Sequence, residues 1–462
     1  MSSKYDLIVI GSGIGGYPAA ILLAKHGLRV AVVEKEPYVG GECTNYGCTP
    51  SKAMLFFTHV LSSAIRLGIA TIHNPKDLLP KALELARNIV AEDREGLETI
   101  FERVGVEVIN GKGLLKARHG EKRVIVEGRK RREITSDKVL LAPGSDPLWP
   151  SWVERCERVV DNRAFFARGL PEDSESIAII GGGVIGVEFA QFLSDLGLKV
   201  TVYEAMDRLL PMIGDRDLSR IAQRLLASKN VEVLVSKPIG RVKCRDNKVE
   251  VCTTQDSCRE YNAALIAVGR KPATSGIGLE ESGIALDEKG YIKVGRSGET
   301  TIPGIYASGD AIGQPFLAHK AAMESLTVAS TILGRRPPAP RVIPFVVYGE
   351  VELVHVRLEE PCEGCRKVTV KNYWGYNIIA RVRGVKPQLV YSKITYDKET
   401  GRILEASVAG PNASELAAEL TLAIQQGIRL DELRGTIHPH PSASEAILDN
   451  VLAALGEIYN RA

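Results

Sequence analysis

The sequence predicts an α/β fold built on two copies of one parallel unit. The first observation is an internal repeat. Residues 8–35, IVIGSGIGGYPAAILLAKHGLRVAVVEK, align without a gap on 178–205, AIIGGGVIGVEFAQFLSDLGLKVTVYEA, at a constant offset of 170. The second is the internal order of each copy: a short apolar strand, Gly-x-Gly-x-x-Gly, an apolar helix, a Gly-Leu break, a second strand and a glutamate. Strands alternating with helices in this way build a parallel sheet. The third is length, since 462 residues allow about three domains of ordinary size.

Each part of the repeat has a physical role. Gly11 and Gly181 are placed for the tight turn, Gly13 and Gly183 for close approach of backbone to a pyrophosphate, and Gly16 and Gly186 for packing of helix on strand. The helix N-terminus supplies free N–H groups and positive potential for the phosphates. Glu34 and Glu204 are placed to accept a hydrogen bond from a ribose 2′-hydroxyl, which makes both copies Rossmann-like dinucleotide sites. At the second copy an acid repels a 2′-phosphate and favours NAD over NADP, with Arg208 four residues on as the opposing feature. Two such sites suggest an electron relay between a permanently bound flavin dinucleotide (FAD) and an exchangeable nicotinamide (NAD). A cysteine pair follows the first copy by about ten residues, so FAD is expected there.

Composition excludes several classes. The chain is 45% hydrophobic and 25% charged with a net charge of +3, ordinary for a globular protein and too small a charge to imply nucleic acid or an anionic membrane. The basic run Arg129–Arg132 lies between two short β-like segments and reads as a solvated turn. No apolar run reaches the roughly 18 residues that span a bilayer. The N-terminal MSSKYDLIVIGSGIGG does not read as a signal peptide, because its short apolar core runs into glycines. A cytoplasmic location is therefore expected, where thiols are kept reduced.

Cys43 and Cys48 sit in GGECTNYGCTPSK, with Pro50 near the start of an apolar helical stretch. A cysteine at a helix N-terminus has its thiolate stabilised, its pKa falling from about 8.5 to roughly 3.5–7.5. One thiolate-prone and one more accessible sulfur suit thiol–disulfide exchange. A structural staple and a four-cysteine zinc site with Cys362 and Cys365 are the alternatives, and no metal is expected. Cys362 and Cys365 by themselves read as surface thiols or a local disulfide. Cys156, Cys244, Cys252 and Cys258 read as ordinary core or surface cysteines.

At GGECTNYGCTPSK the chain resembles the pyridine-nucleotide disulfide oxidoreductases that keep Cys-x4-Cys beside FAD. The likeness extends through LLAPGS (140–145), AVGRKP (267–272), TIPGIYASGDA (301–311), LAHKAA (317–322), DKETGRILEASVAGPNASEL (397–416) and TIHPHPSASEA (436–446). It implies an FAD-binding domain in two pieces, 1–150 and 271–341, with an NAD-binding domain, 151–270, inserted between them. A C-terminal α+β dimerisation domain, 342–462, follows the proline-rich RRPPAPRVIP (335–344). The resemblance further implies that Asp310 holds the ribityl chain, that Gly144, Ala318 and Gly269 line the cofactors, and that Lys52 pairs with Glu188 beside the flavin. Glu188 otherwise stands oddly near an apolar helix start, where an acid compensating the helix dipole is the plain reading.

The same resemblance makes His440 the base that deprotonates a dithiol and Glu445 the carboxylate that orients it. Imidazole suits the task with its pKa near 6.5. Ser442-x-x-Glu445 also fits a helix capping box, and His438 with His440 a metal pair. The family's base meets the cysteines across a homodimer interface, so a homodimer is expected. AGPNASEL and the HPH ending look most like the dihydrolipoamide dehydrogenase branch, which implies dihydrolipoamide or another small dithiol as substrate and a lipoyl-bearing multienzyme complex as a candidate partner. The mercuric reductase branch carries an extra vicinal cysteine pair near its end, where this chain reads GEIYNRA. Thr44, Tyr46, Thr49 and the segment YGEVELVHVRL (348–358) depart from the family pattern. A flavin-bearing binding subunit, the reading from a different class, has no need to keep Cys43, Cys48, Lys52, Glu188, His440 and Glu445 together.

Overall fold

The computed structural model describes residues 4–71, 77–118, 120–360 and 362–459. The initial Met-Ser-Ser, Pro361 of PCEGC and the last three residues of GEIYNRA lie outside these residues. The chain divides into two compact units, one of Met1–Ser51, Glu84–Leu148 and Gly269–Ala339, the other of Lys52–Leu83, Trp149–Val268 and Pro340–Ala462. One copy of the repeat lies in each.

In the first unit the strand Lys4–Ile10 pairs in parallel with Val30–Glu34 and with Arg131–Leu141. Glu107–Asn110 extends one edge, while Glu121–Glu127 and Lys112–Arg118 extend the other as antiparallel strands. Ile305–Ala307 returns late in sequence to join Arg131–Leu141 in parallel. All five residues of Val30–Glu34 are buried, as a parallel strand covered on both faces requires. The helix Tyr17–Lys25 sets Ala19, Ala20, Leu23 and Ala24 against that sheet, in one core with Val328 and Ala329 of the helix Ala318–Ile332. The basic run falls at the turn leading into Arg131–Leu141, where Arg132 pairs with Glu107 at 3.0 Å.

The second unit repeats the plan. Ser176–Ile180 is flanked in parallel by Lys199–Tyr203 and Ala263–Ile266, with Glu232–Leu234 and Val159–Val160 outside them. A three-stranded antiparallel sheet, Ile239–Arg245, Lys248–Thr253 and Cys258–Tyr261, follows the second copy. The C-terminal segment forms an antiparallel sheet in the order Phe345–Val347, Glu352–Arg357, Ile403–Gly410, Tyr391–Asp397, Lys367–Asn372. Helices Ala413–Gln426 and Glu445–Leu455 pack on it. Among the described residues no helix is long and apolar enough to cross a membrane.

Of three disulfides, two correct the reading of Cys156, Cys244, Cys252 and Cys258 as ordinary. Cys252 bonds Cys258, directly opposite it on the adjacent strand. Cys156 bonds Cys244 because a bridge between Val153 and Val242 lays the preceding loop beside the strand that carries Cys244. Cys362 and Cys365 form the local disulfide, which removes them from any zinc site with Cys43 and Cys48.

One buried ion group ties the second copy to the departing segment 348–358. Lys229, its side chain 9% exposed, bonds Asp195 at 2.8 Å and Glu350 at 2.7 Å. Burial pushes the Asp195 carboxyl up, against the lowering pull of Lys229. Replacing Lys229 by Met strands that carboxylate, and the expected loss is about 3 kcal/mol in denaturant unfolding at neutral pH. Without its cation the already raised Asp195 carboxyl rises further, so the fold of the variant disfavours the charged form. The loss should therefore shrink as pH falls towards 5 and grow above it.

Candidate active site

The two glycine turns match at the level of single hydrogen bonds. Gly11 N donates to Val33 O and Gly181 N to Tyr203 O, each 170 residues on. Gly11 has φ +103° and Gly181 φ +112°, and a Cβ on either would overlap a backbone oxygen, that of Ala142 or of Ala267. A Cβ on Gly16 or Gly186 would overlap the carbonyl of its own turn. The acids act in the same way. Glu34 Oε2 accepts from Ser12 N at 2.9 Å and Oε1 from Glu36 N at 2.9 Å; Glu204 Oε2 accepts from Gly182 N at 2.7 Å and Oε1 from Met206 N at 2.8 Å.

These turns fit dinucleotides. A carboxylate offers about four lone-pair positions, so both acids keep acceptor capacity for ribose hydroxyls after holding the turn. Nothing lies within 4 Å of a Cβ built on Gly183, and at Gly13 the nearest atom is the Gly41 Cα at 3.6 Å, so backbone in both turns is open to a phosphate. Arg208 is turned to the Pro211 carbonyl at 3.1 Å and to Asp207 at 3.4 Å.

Beside the first turn, Cys43 lies in the short helix Gly41–Tyr46 and Cys48 opens the helix Cys48–Arg66; both are half-buried and outside the three disulfides. Burial raises the Tyr17 hydroxyl, and the nearby Cys43, Asp93 and Cys48 raise it further. The Thr49 departure has a structural use, since its hydroxyl donates to Asp93 at 2.9 Å. Thr44 is buried against Gly40.

Asp310 is the second residue of the 3₁₀ turn Gly309–Ile312, which follows the strand Ile305–Ala307. Burial pushes its carboxyl up, opposed by the Ser145 hydroxyl and by the charges of Arg270 and Lys320. Ser145 Oγ donates to Asp310 at 2.5 Å and accepts from Arg270 Nε at 2.7 Å, while Arg270 Nη1 reaches Glu42 at 2.8 Å. A single guanidinium thus links the Asp310 turn to the residue before Cys43. Sequence reasoning named Gly269 and missed Arg270 beside it. Gly144, with φ +73°, stands one residue before Ser145, Gly269 has φ +120°, and Ala318 is the first residue of its helix.

In the second unit Lys52 Nζ lies 3.0 and 2.8 Å from the two Glu188 oxygens and 4.3 Å from the centre of the Tyr348 ring. Tyr348 N donates to Glu188 at 3.1 Å. Glu188 is the fifth residue of the helix Val184–Asp195, past its first turn, so Lys52 rather than the helix dipole is its partner. Phe165, Phe166, Phe189 and Phe192 pack together around the same helix, their ring centres 4.7 to 5.9 Å apart, and hold it in place.

His440 Nδ1 lies 2.7 Å from Glu445 Oε1, which places a proton on Nδ1 and leaves the lone pair on Nε2. Glu445 Oε2 accepts from Ser442 N at 3.0 Å and from Asn377 Nδ2 at 3.2 Å. Burial raises its carboxyl, but the bonds from His440, Ser442 and Asn377 outweigh that and hold it below the usual carboxylate range. Only half of the capping box forms, because Ser442 Oγ pairs with Ser444 Oγ. Asn377 was not legible in the sequence. His438 is not a metal partner of His440. Its Nδ1 faces the Thr436 carbonyl at 3.0 Å and its Nε2 faces Glu419 at 2.9 Å; both are acceptors, so the protonated ring satisfies both contacts at once. The bond to Glu419 raises its pKa, against partial burial.

A family model described as pyridine nucleotide-disulphide oxidoreductase matches residues 5–325, and one for that family's dimerisation domain matches 365–451. A dihydrolipoyl dehydrogenase of Thermus scotoductus is 35% identical, covering 96% of both chains, and one of Chlorobaculum parvum is 32% identical, covering 98% of both. Among solved structures, LpdA of Mycobacterium tuberculosis matches with a TM-score of 0.88 at 26% identity over 98% of this chain and 99% of that one. The HOCl-induced flavoprotein disulfide reductase RclA of Escherichia coli matches with a TM-score of 0.85 at 26% identity, over 97% of this chain and 99% of that one.

Two outcomes follow from the His438 and Asn377 contacts. Glu419→Gln should bring the His438 imidazole, followed by NMR titration, down towards the free value. The folded pKa is raised, so the clamp stabilises fully below about pH 6.5 and is lost as pH rises through the folded pKa. The variant should therefore cost about 1 kcal/mol at pH 6 and much less at pH 9. Asn377→Ala, which also removes the cap on Ile379 N, should cost about 1–2 kcal/mol in denaturant unfolding.

Proposed function

Because the chain belongs to the pyridine nucleotide-disulphide oxidoreductase family, matched over residues 5–325, we propose that it is a dihydrolipoamide dehydrogenase, which oxidises a dihydrolipoyl dithiol and reduces NAD⁺. The family's cofactors are FAD and NAD(P). The observation that carries the reading is the unequal setting of the cysteines. Cys48 is the first residue of a 19-residue helix, while Cys43 belongs to a separate short helix before it. A sulfur at a helix start leaves readily as a thiolate.

His440 Nε2 takes the proton of one substrate thiol, and Glu445 stabilises the imidazolium through Nδ1. The substrate thiolate attacks Cys43 Sγ of the oxidised pair, the S–S bond breaks, and the electron pair leaves on Cys48. The second substrate thiol then displaces Cys43, which releases the cyclic disulfide and leaves both cysteines reduced. FAD, held by the first glycine turn, would supply the two-electron acceptor for that pair, and NAD⁺ held by the second would supply the final one. Glu34 with Gly11, Gly13 and Gly16, together with Gly144, Asp310 and Ala318, is assigned to FAD. Glu204 with Gly181, Gly183, Gly186 and Gly269 is assigned to NAD⁺. Lys52 and Glu188 are assigned to the flavin's reactive edge. The acid at 204 and the engagement of Arg208 by Pro211 and Asp207 support NAD⁺ over NADP⁺. The dimerisation-domain match supports a homodimer, in which His440 serves the cysteine pair of the second copy. The two units are then read as the FAD domain and as the NAD and dimerisation domains.

The test is initial-rate NADH formation by the FAD-loaded protein with dihydrolipoamide. Turnover with NAD⁺ and little with NADP⁺ is expected, with kcat falling about 10²–10⁴-fold in His440→Gln. Absence of NADH formation by a correctly folded holoprotein overturns the substrate assignment. Unchanged turnover in His440→Gln overturns the assigned base.

A further inference from the structure

We propose that Cys252–Cys258 is a second thiol–disulfide exchange site, opened by small dithiols, in which Arg241 holds the leaving thiolate of Cys252. The two cysteines face each other across adjacent antiparallel strands, and the strand Ile239–Arg245 sets Arg241 opposite Cys252 from the other side. One atom of Arg241, Nη2, lies 3.2 Å from Cys252 Sγ, 3.8 Å from Cys258 Sγ and 4.0 Å from Glu250 Oε1. The donor atoms of Glu250, Cys252 and Cys258 gather within 4.8 Å of one another. Such a group suits a metal ion, but the guanidinium nitrogen already stands in the cation's place. A fixed positive charge beside two sulfurs stabilises a thiolate and opposes a second cation.

The nearby charges favour this reading. Glu250, the carboxylate nearest the sulfurs, is also bound by Arg245 at 3.2 Å. Arg241 Nε is buried with no acceptor among the described residues, so that edge of the guanidinium is not matched by a carboxylate.

The two sulfurs are unequal, as in the pair at 43 and 48. Cys258 is exposed, whereas Cys252 is 1% exposed. An incoming thiolate reaches Cys258 Sγ, the S–S bond breaks, and the electron pair departs on Cys252 Sγ. Burial alone disfavours a thiolate there, and the guanidinium at 3.2 Å offsets that cost. The second thiol of the dithiol then attacks its own sulfur in the mixed disulfide and releases Cys258. Two electrons and two protons pass to the cysteine pair, and the dithiol becomes a cyclic disulfide. Cys156–Cys244, joined to the same sheet, is an internal control: among the described residues no cationic side chain is hydrogen-bonded to either of its sulfurs.

The experiment exposes the oxidised, FAD-loaded protein to dithiothreitol under native conditions, quenches with N-ethylmaleimide at intervals and quantifies the labelled peptides by mass spectrometry. Cys252 and Cys258 should become labelled about tenfold faster than Cys156 and Cys244, and Arg241→Gln should slow them about tenfold while Arg241→Lys stays near wild type. The labelling rate of Cys156–Cys244 should be the same in all three proteins. If Arg241 only braces the sheet, Arg241→Gln opens the pair faster. That result overturns the proposal, as do equal rates for the two disulfides in the wild type. Because the readout is labelling rather than NADH formation, it stands apart from the fate of the lipoamide assignment.

Discussion

Each nucleotide unit rests on one contact, a turn glycine laid against the carbonyl of the neighbouring strand. Gly11 meets Ala142 O and Gly181 meets Ala267 O, with no room for a Cβ at either place and a φ that side chains rarely adopt. Because the turn is that tight, the helix behind it begins immediately and directs its free N–H groups outward. Because the turn is that close to the sheet, an acid at the end of the second strand can reach under it. Glu34 and Glu204 do so with matching hydrogen bonds to residues 12 and 36 and to residues 182 and 206. The carboxylates therefore have two duties, holding the turn and keeping spare lone pairs for a ribose.

The same physics recurs at the sulfurs. A helix start that favours negative charge occurs three times: at the two glycine turns and at Cys48. Elsewhere the chain uses paired side chains to hold charge, and each pair is braced by backbone. Lys52 and Glu188 are closed by the Tyr348 amide and ring, and His440 and Glu445 by Ser442 N and Asn377. The segment 348–358, which departs from the family pattern, supplies the Tyr348 brace and the Glu350 end of the buried Lys229 group.

What was legible in the sequence is what is local. The glycine turn of each repeat and the helix opening at Cys48 lie within one or two turns of chain, where residue order dictates geometry, while the roles of His440 and Glu445 came through resemblance. Pairing of Lys52 with Glu188 was reached through resemblance, since 136 residues separate them. Arg270 and Asn377 were missed because each joins segments far apart in sequence through polar contacts that leave no periodic trace. The Cys156–Cys244 disulfide spans 88 residues and had no signal. Cys252–Cys258 had one, because two cysteines flanking the turn-forming TTQDS become directly opposed once the hairpin register is set.

The claim that a helix start makes Cys48 the thiolate of the pair can be measured on the protein's own sulfurs. The reduced protein is alkylated with iodoacetamide across a pH series, and Cys43 and Cys48 are scored separately by peptide mass. The account predicts that, as pH is lowered, Cys48 continues to react after Cys43 has ceased to. It also predicts that Cys48, followed in Cys43→Ser, titrates well below the ordinary thiol value of about 8.5. A Cys48 that titrates at or above that value would contradict it.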